Sequence, residues 1–309
     1  MMHLRYVLLV LAVFLGLAAC ESPGPRPVAE TPEDAAPLTP AVGQVEQNYF
    51  SPRETALDIN VVVFDAGWGD ASEELFPTVR KAESLLLPSR LAASLENSGG
   101  FGAVRIVPSN DVLSPLQVQA GILKADGREL ELALELRDAS DQLLLARRYR
   151  DLAAAADYPV PSGQDPFDDL YRAIANDIAE RVGRLDDATR ARLSRLAAAR
   201  FGASVAPAAF GRLIARSDGR YELVSYPAAG DPMLLRLARM LRQDALFIDT
   251  ANEQYRDLSD QVSESYDLWR QYSFELESYG ASYRDEAASR KSNARRGTFA
   301  SMQQGYASF

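Results

Sequence analysis

The 309-residue chain carries one cysteine and one histidine, Cys20 and His3, both within its first twenty positions. Beyond them there is no thiol and no imidazole. That excludes Ser-His-Asp and Cys-His nucleophile systems, and Cys/His zinc or iron–sulfur sites, from the rest of the chain. The side chains left for chemistry are carboxylates, hydroxyls and three lysines, Lys81, Lys124 and Lys291. Thr78-Val79-Arg80-Lys81 is a threonine analogue of an S-x-x-K nucleophile, but it stands at a helix start, where Thr is an ordinary cap. Asp65, Asp70, Glu73 and Glu74 cluster around Trp68. Two carboxylates beside an indole that stacks on a sugar are the parts of a glycan hydrolase. The same cluster also reads as a solvated loop in which Asp65 caps a turn. Its spacing is not that of an EF-hand, and no glycine-rich phosphate loop occurs, so neither metal nor cofactor is expected. With 43 acidic against 33 basic residues and a net charge of -10, nucleic acid is not an expected partner.

Cys20 has a chemistry of its own. After Arg5, an apolar run from Tyr6 to Leu17 is too short to span a bilayer, and it ends Leu17-Ala18-Ala19-Cys20. These four residues resemble the bacterial lipobox. The resemblance implies a signal peptide over 1–19, cleavage before Cys20, a thioether-linked diacylglycerol on its sulfur and an amide-linked acyl chain such as palmitate on its amine. It further implies a periplasmic protein held on a membrane, and Glu21 in place of Asp leans towards the outer membrane. Residues 20–45 follow as a tether. The stretch from Glu21 holds six of the 17 prolines with no apolar periodicity, and disorder is expected there.

The fold expected over 46–185 is α+β: a four- to five-stranded mixed sheet with two covering helices, in the order β-α-β-β-β-β-α. Leu57–Phe64 is apolar on both faces, as a central strand is. A helix fits Val79–Leu95, with Pro88 expected to kink or interrupt it and Asn97-Ser98-Gly99-Gly100 ending it. Val104–Pro108 is a short strand. Leu116, Val118, Ala120 and Ile122, then Leu130, Leu132, Leu134 and Leu136, alternate with polar residues around an Asp126-Gly127 hairpin signal, and a strand over Leu143–Arg150 follows. Asp165-Pro166 is an N-cap with proline at the first helical position, before an apolar stripe of Phe167, Leu170, Ile174, Ile178 and Val182.

The phrases Glu83–Leu95 (ESLLLPSRLAASL), Gly102–Pro108 (GAVRIVP) and Asp165-Pro166-Phe167, in this element order, resemble the small α/β domain of the TolB N-terminal region, of curli-secretion lipoproteins and of auxiliary lipoproteins of ABC-type lipid transporters. They also look like uncharacterised proteobacterial outer-membrane lipoproteins. The resemblance implies an accessory role in the cell envelope.

Residues 186–250 read as mostly helical, with a short strand at Tyr221–Tyr226 and a helix opened by Asp231-Pro232 over Met233–Leu241. Within 251–309, a long amphipathic helix from about Thr250 to Lys291 carries Tyr255, Leu258, Val262, Tyr266, Trp269, Tyr272 or Ser273, Leu276, Tyr279 and Tyr283 at steps of three or four. A frayed tail follows. The stripe has three readings: it packs on the body, it docks a partner through Tyr255, Tyr266, Trp269, Tyr272 and Tyr279 with Trp68, or its basic end meets a membrane surface. The combined expectation is a lipid-anchored periplasmic accessory or scaffold protein that binds an envelope partner or itself and is no enzyme. The alternatives are a carboxylate-based cell-wall glycan hydrolase, or an auxiliary subunit of an envelope lipid or secretion transport system.

Overall fold

The computed structural model describes residues 39–51, 53–67, 77–161 and 164–307, with side chains described as far as Arg290 apart from those at 281, 284 and 287. Its first part has the expected element order. β1 (Ile59–Val62) lies between β2 (Val104–Val107) and β3 (Leu116–Ala125), parallel to both, and β4 (Glu129–Asp138) and β5 (Leu143–Leu152) continue antiparallel in the order β2-β1-β3-β4-β5. The alternating apolar residues Leu116, Val118, Ala120 and Ile122 of β3 and Leu130, Leu132, Leu134 and Leu136 of β4 all point into one core. α1 (Pro77–Ser98) and α2 (Asp168–Gly183) cover that face with Leu87, Leu91 and Leu95, and with Leu170, Ile174, Ile178 and Val182.

α1 runs through Pro88 without the interruption that was one of its two expected effects. A proline inside a helix leaves the carbonyl four residues back without its donor. Here that carbonyl is Ser84's, and the Phe64 amide donates to it at 3.0 Å. The strand that leaves β1 supplies the hydrogen bond that Pro88 removes. α2 also starts later than Pro166. Asp165 accepts from the Phe167 amide in a turn, and the helix begins at Asp168.

α3 (Asp187–Val205), capped by Asp186, adds Leu193, Leu196 and Ala197 to the core. α4 (Pro207–Phe210) leads into a hairpin of β6 (Ile214–Ser217) and β7 (Arg220–Leu223). Only one strand was expected there. The turn is Asp218-Gly219, both with positive φ, the backbone that a two-residue hairpin turn requires.

α5 (Pro232–Ala307) is one helix of 76 residues, about 114 Å long at 1.5 Å per residue. It begins at the predicted cap, where Asp231 accepts from the Met233 amide. The gap expected between Leu241 and Thr250 does not exist, since Arg242–Asp249 contains neither glycine nor proline.

Each edge of the large sheet is partly covered. On β2, the Asn252 side chain of α5 accepts from the Ile106 amide at 2.9 Å, and Arg105 pairs with Asp249 and Asp58. On β5, Ala41 forms a parallel bridge to Arg150, and the Val42 amide donates to the Arg150 carbonyl. Thr39 to Asn48 then bond to Glu131, Asp169 and Asn176. The expected tether therefore ends earlier than residue 45: from Thr39 onward the chain is hydrogen-bonded to the body, through one backbone bond and several to polar side chains, which carry no hydrophobic signature.

Candidate functional site

The seat of α5 explains which of its faces is free. Tyr266 is buried, and its hydroxyl donates to Glu83 Oε1 of α1 at 2.8 Å. One turn on, Arg270 is 0% exposed; its Nη1 donates to Asp165 Oδ2 at 2.8 Å, itself 1% exposed, and Arg90 Nε stands 3.7 Å from the same oxygen. The guanidinium also lies over the rings of Tyr266 and Phe167, at 4.4 and 5.0 Å. Burial raises the Glu83 carboxyl above its ordinary value, against the pull of Arg80, the Tyr266 hydroxyl and Arg270. A turn further, the Ser273 hydroxyl accepts from the Gly127 amide, and the Phe274 ring meets that of Tyr158 at 5.0 Å. Gly127 sits so close that a β-carbon would overlap the Arg270 carbonyl and the Phe274 amide. Its φ is not positive. This glycine is required by the approach of α5 and not by the hairpin turn that its sequence signals.

These contacts divide the expected stripe. Tyr266 is no partner anchor, because its ring is buried and its hydroxyl is used within the chain. Tyr255 packs against the core, and Trp269 stacks on Tyr266 with ring centres 5.6 Å apart. Tyr272 and Tyr279 point away from the body. With Leu268, Leu276 and Tyr283 they form an apolar face whose members are 54% to 79% exposed. Trp68 and Cys20 lie outside the described residues, as do Asp70, Glu73 and Glu74.

The hydrolase reading has little of its site on view. Asp65 serves a turn: its Oδ1 accepts from the Gly67 amide, while its own amide and carbonyl pair with β3. A groove of about 640 Å³ runs between α5 and the β3–β4 hairpin, lined by Arg128, Phe274, Ser278, Ser282, Asp285 and Glu286 among others. Its two carboxylates are successive residues of one helix, about 100° apart around the axis, and do not face each other across it. No group of three or more metal-ligating side chains occurs among the described residues.

Elsewhere, burial pushes the Asp151 carboxyl up to about 7; the Leu152 and Leu170 amides oppose the rise, and Asp169 and Asp157 add to it. A carboxyl protonated in the fold and ionised in the unfolded chain makes stability fall as pH climbs from about 4 to about 7, with the whole penalty present above that. Asparagine keeps an acceptor for the Leu152 amide without the charge. Asp151→Asn is expected to stabilise by roughly 1–2 kcal/mol at about pH 8, several degrees in Tm, and to do nothing near pH 3.5. Thermal melts at the two pH values check this; an equal gain at both would contradict it.

No family model matches the chain, and no curated protein matches its sequence. The fold and the site define an α+β body carrying a very long helix that is clamped along one face and apolar on the other.

Proposed function

We propose that this chain is a lipid-anchored periplasmic accessory protein of the cell envelope, acting by binding and not by catalysis, and held through Cys20 at the outer membrane. The observation that carries the binding role is the outward face of α5. Leu268, Tyr272, Leu276, Tyr279 and Tyr283 stay exposed while Tyr266 and Arg270, on the same turns, are fully committed to the body. Large aromatic side chains with polar tips are the residue types that anchor interfaces. The lipobox-like sequence ending at Cys20 supports the anchor. One acyl chain binds a membrane marginally; three hold it for the life of the protein.

Palmitate labelling in a bacterial host tests the anchor. The wild-type chain takes up label and fractionates with outer membranes. Cys20→Ser is expected to lose the label completely and to leave the mature membrane pool. Label retained on the serine variant would end the lipoprotein reading. The binding role is tested by a photo-cross-linking residue at Tyr279, which is expected to give discrete adducts in intact cells.

A further inference from the structure

The geometry points to a second copy of this chain as the occupant of the outward face of α5, paired antiparallel about a two-fold axis close to Leu276. This rests on the binding role proposed above and names its partner.

The face has the layout that such a pair needs. Leu268, Tyr272, Leu276, Tyr279 and Tyr283 follow at steps of 4, 4, 3 and 4, which keeps them on one side of the helix over about 22 Å. The side is fixed outward by Tyr266, Arg270 and Phe274, so the helix cannot roll to hide it without breaking its seat. The spacing is also nearly palindromic. In an antiparallel pair, Leu268 of one copy meets Tyr283 of the other and Tyr272 meets Tyr279, while the two Leu276 residues meet near the axis.

Charge selects the direction. The turns before the face carry Asp257, Asp260 and Glu264, and the sequence after it carries Arg290, Lys291, Arg295 and Arg296. A parallel pair sets acid against acid and base against base. The antiparallel register above sets residues 257–264 of one copy opposite residues 287–294 of the other, so the stretch with Asp257, Asp260 and Glu264 meets the stretch with Arg290 and Lys291.

The area is sufficient. Aromatic side chains bury roughly 150–250 Å² each, so five large, mostly exposed side chains bury about 600 Å² per copy and about 1,200 Å² for the pair, which reaches the lower bound of specific stable interfaces.

The test uses the full chain carrying Cys20→Ser, so that an introduced cysteine is the sole thiol. In sedimentation the chain is expected at twice its monomer mass. Tyr272→Glu with Tyr279→Glu is expected to weaken self-association at least about 100-fold while leaving the circular dichroism spectrum and Tm unchanged, because both side chains are exposed. Leu276→Cys alone, and Leu268→Cys mixed with Tyr283→Cys, are expected to form disulfide-linked dimers under mild oxidation, whereas Leu268→Cys alone is not. A monomer at every concentration overturns the proposal. So does self-linkage of Leu268→Cys, which reports a parallel pair, or a monomer that binds anionic phospholipid vesicles through this face. If the chain is monomeric but the Tyr279 cross-link in cells joins a different protein, self-pairing fails and the binding role stands. If neither adduct forms, both fail.

Discussion

Replacing Arg270 by alanine is expected to destabilise the chain by about 3–5 kcal/mol and to lower Tm by about 10 °C, because it leaves a fully buried carboxylate without its nearest cation. Asp165 is 1% exposed, and Arg90, the other cation nearby, stands further off at 3.7 Å. The loss combines three contributions: the 2.8 Å charge-assisted hydrogen bond, the guanidinium contacts with Phe167 and Tyr266, and a cavity where the side chain stood. Arg270→Met combined with Asp165→Asn removes the stranded charge while keeping volume, and should recover most of the stability. Denaturant unfolding of the two variants beside the unaltered chain measures this. A single-variant cost below about 1 kcal/mol would be that of an exposed pair, and would mean that α5 is not seated as described.

The second large effect belongs to Gly127. Its missing β-carbon leaves room for two backbone atoms of α5, the Arg270 carbonyl and the Phe274 amide, and helix backbone cannot give way as a flexible side chain does. Gly127→Ala is expected to cost about 2–4 kcal/mol by pushing the helix off the hairpin. Faster amide exchange should appear around Ser273 and Phe274, where the Gly127 amide bond is lost. Gly211→Ala, with nothing within 4 Å of the added carbon, serves as the comparison and should stay within about 0.5 kcal/mol. Equal effects at the two glycines would remove the close-approach argument.

How far the sequence was legible depends on which kind of signal each element used. The sheet and its two covering helices follow from alternation and from the stripe Leu170, Ile174, Ile178 and Val182, since burial on one face is what those periods record. Asp231-Pro232 marked the start of α5. Pro88 misled because its cost is met by a distant partner, the Phe64 amide, which no local pattern shows. The β6 strand was missed although Asp218-Gly219 carries the hairpin signature. The division of the aromatic stripe has a numerical reason. The eight steps from Tyr255 to Tyr283 average 3.5 residues. On a straight helix of 3.6 residues per turn such a repeat drifts by about 20° per heptad, or about 80° over these four heptads. The stripe therefore starts against the core and finishes in solvent. Arg270 carries no signal of its own, because an arginine in a helix is ordinarily on the surface. The available hint was an aromatic residue four positions to either side, Tyr266 and Phe274.

The partly covered strand edges bear on how copies of this chain can meet when crowded together. With Asn252 bonded to the β2 rim at Ile106 and Ala41-Val42 to the β5 rim at Arg150, pairing of one sheet with the next is hindered at those two places. The outward side chains of α5 differ from a sheet rim in this respect, because their contribution to any contact is adjustable one residue at a time.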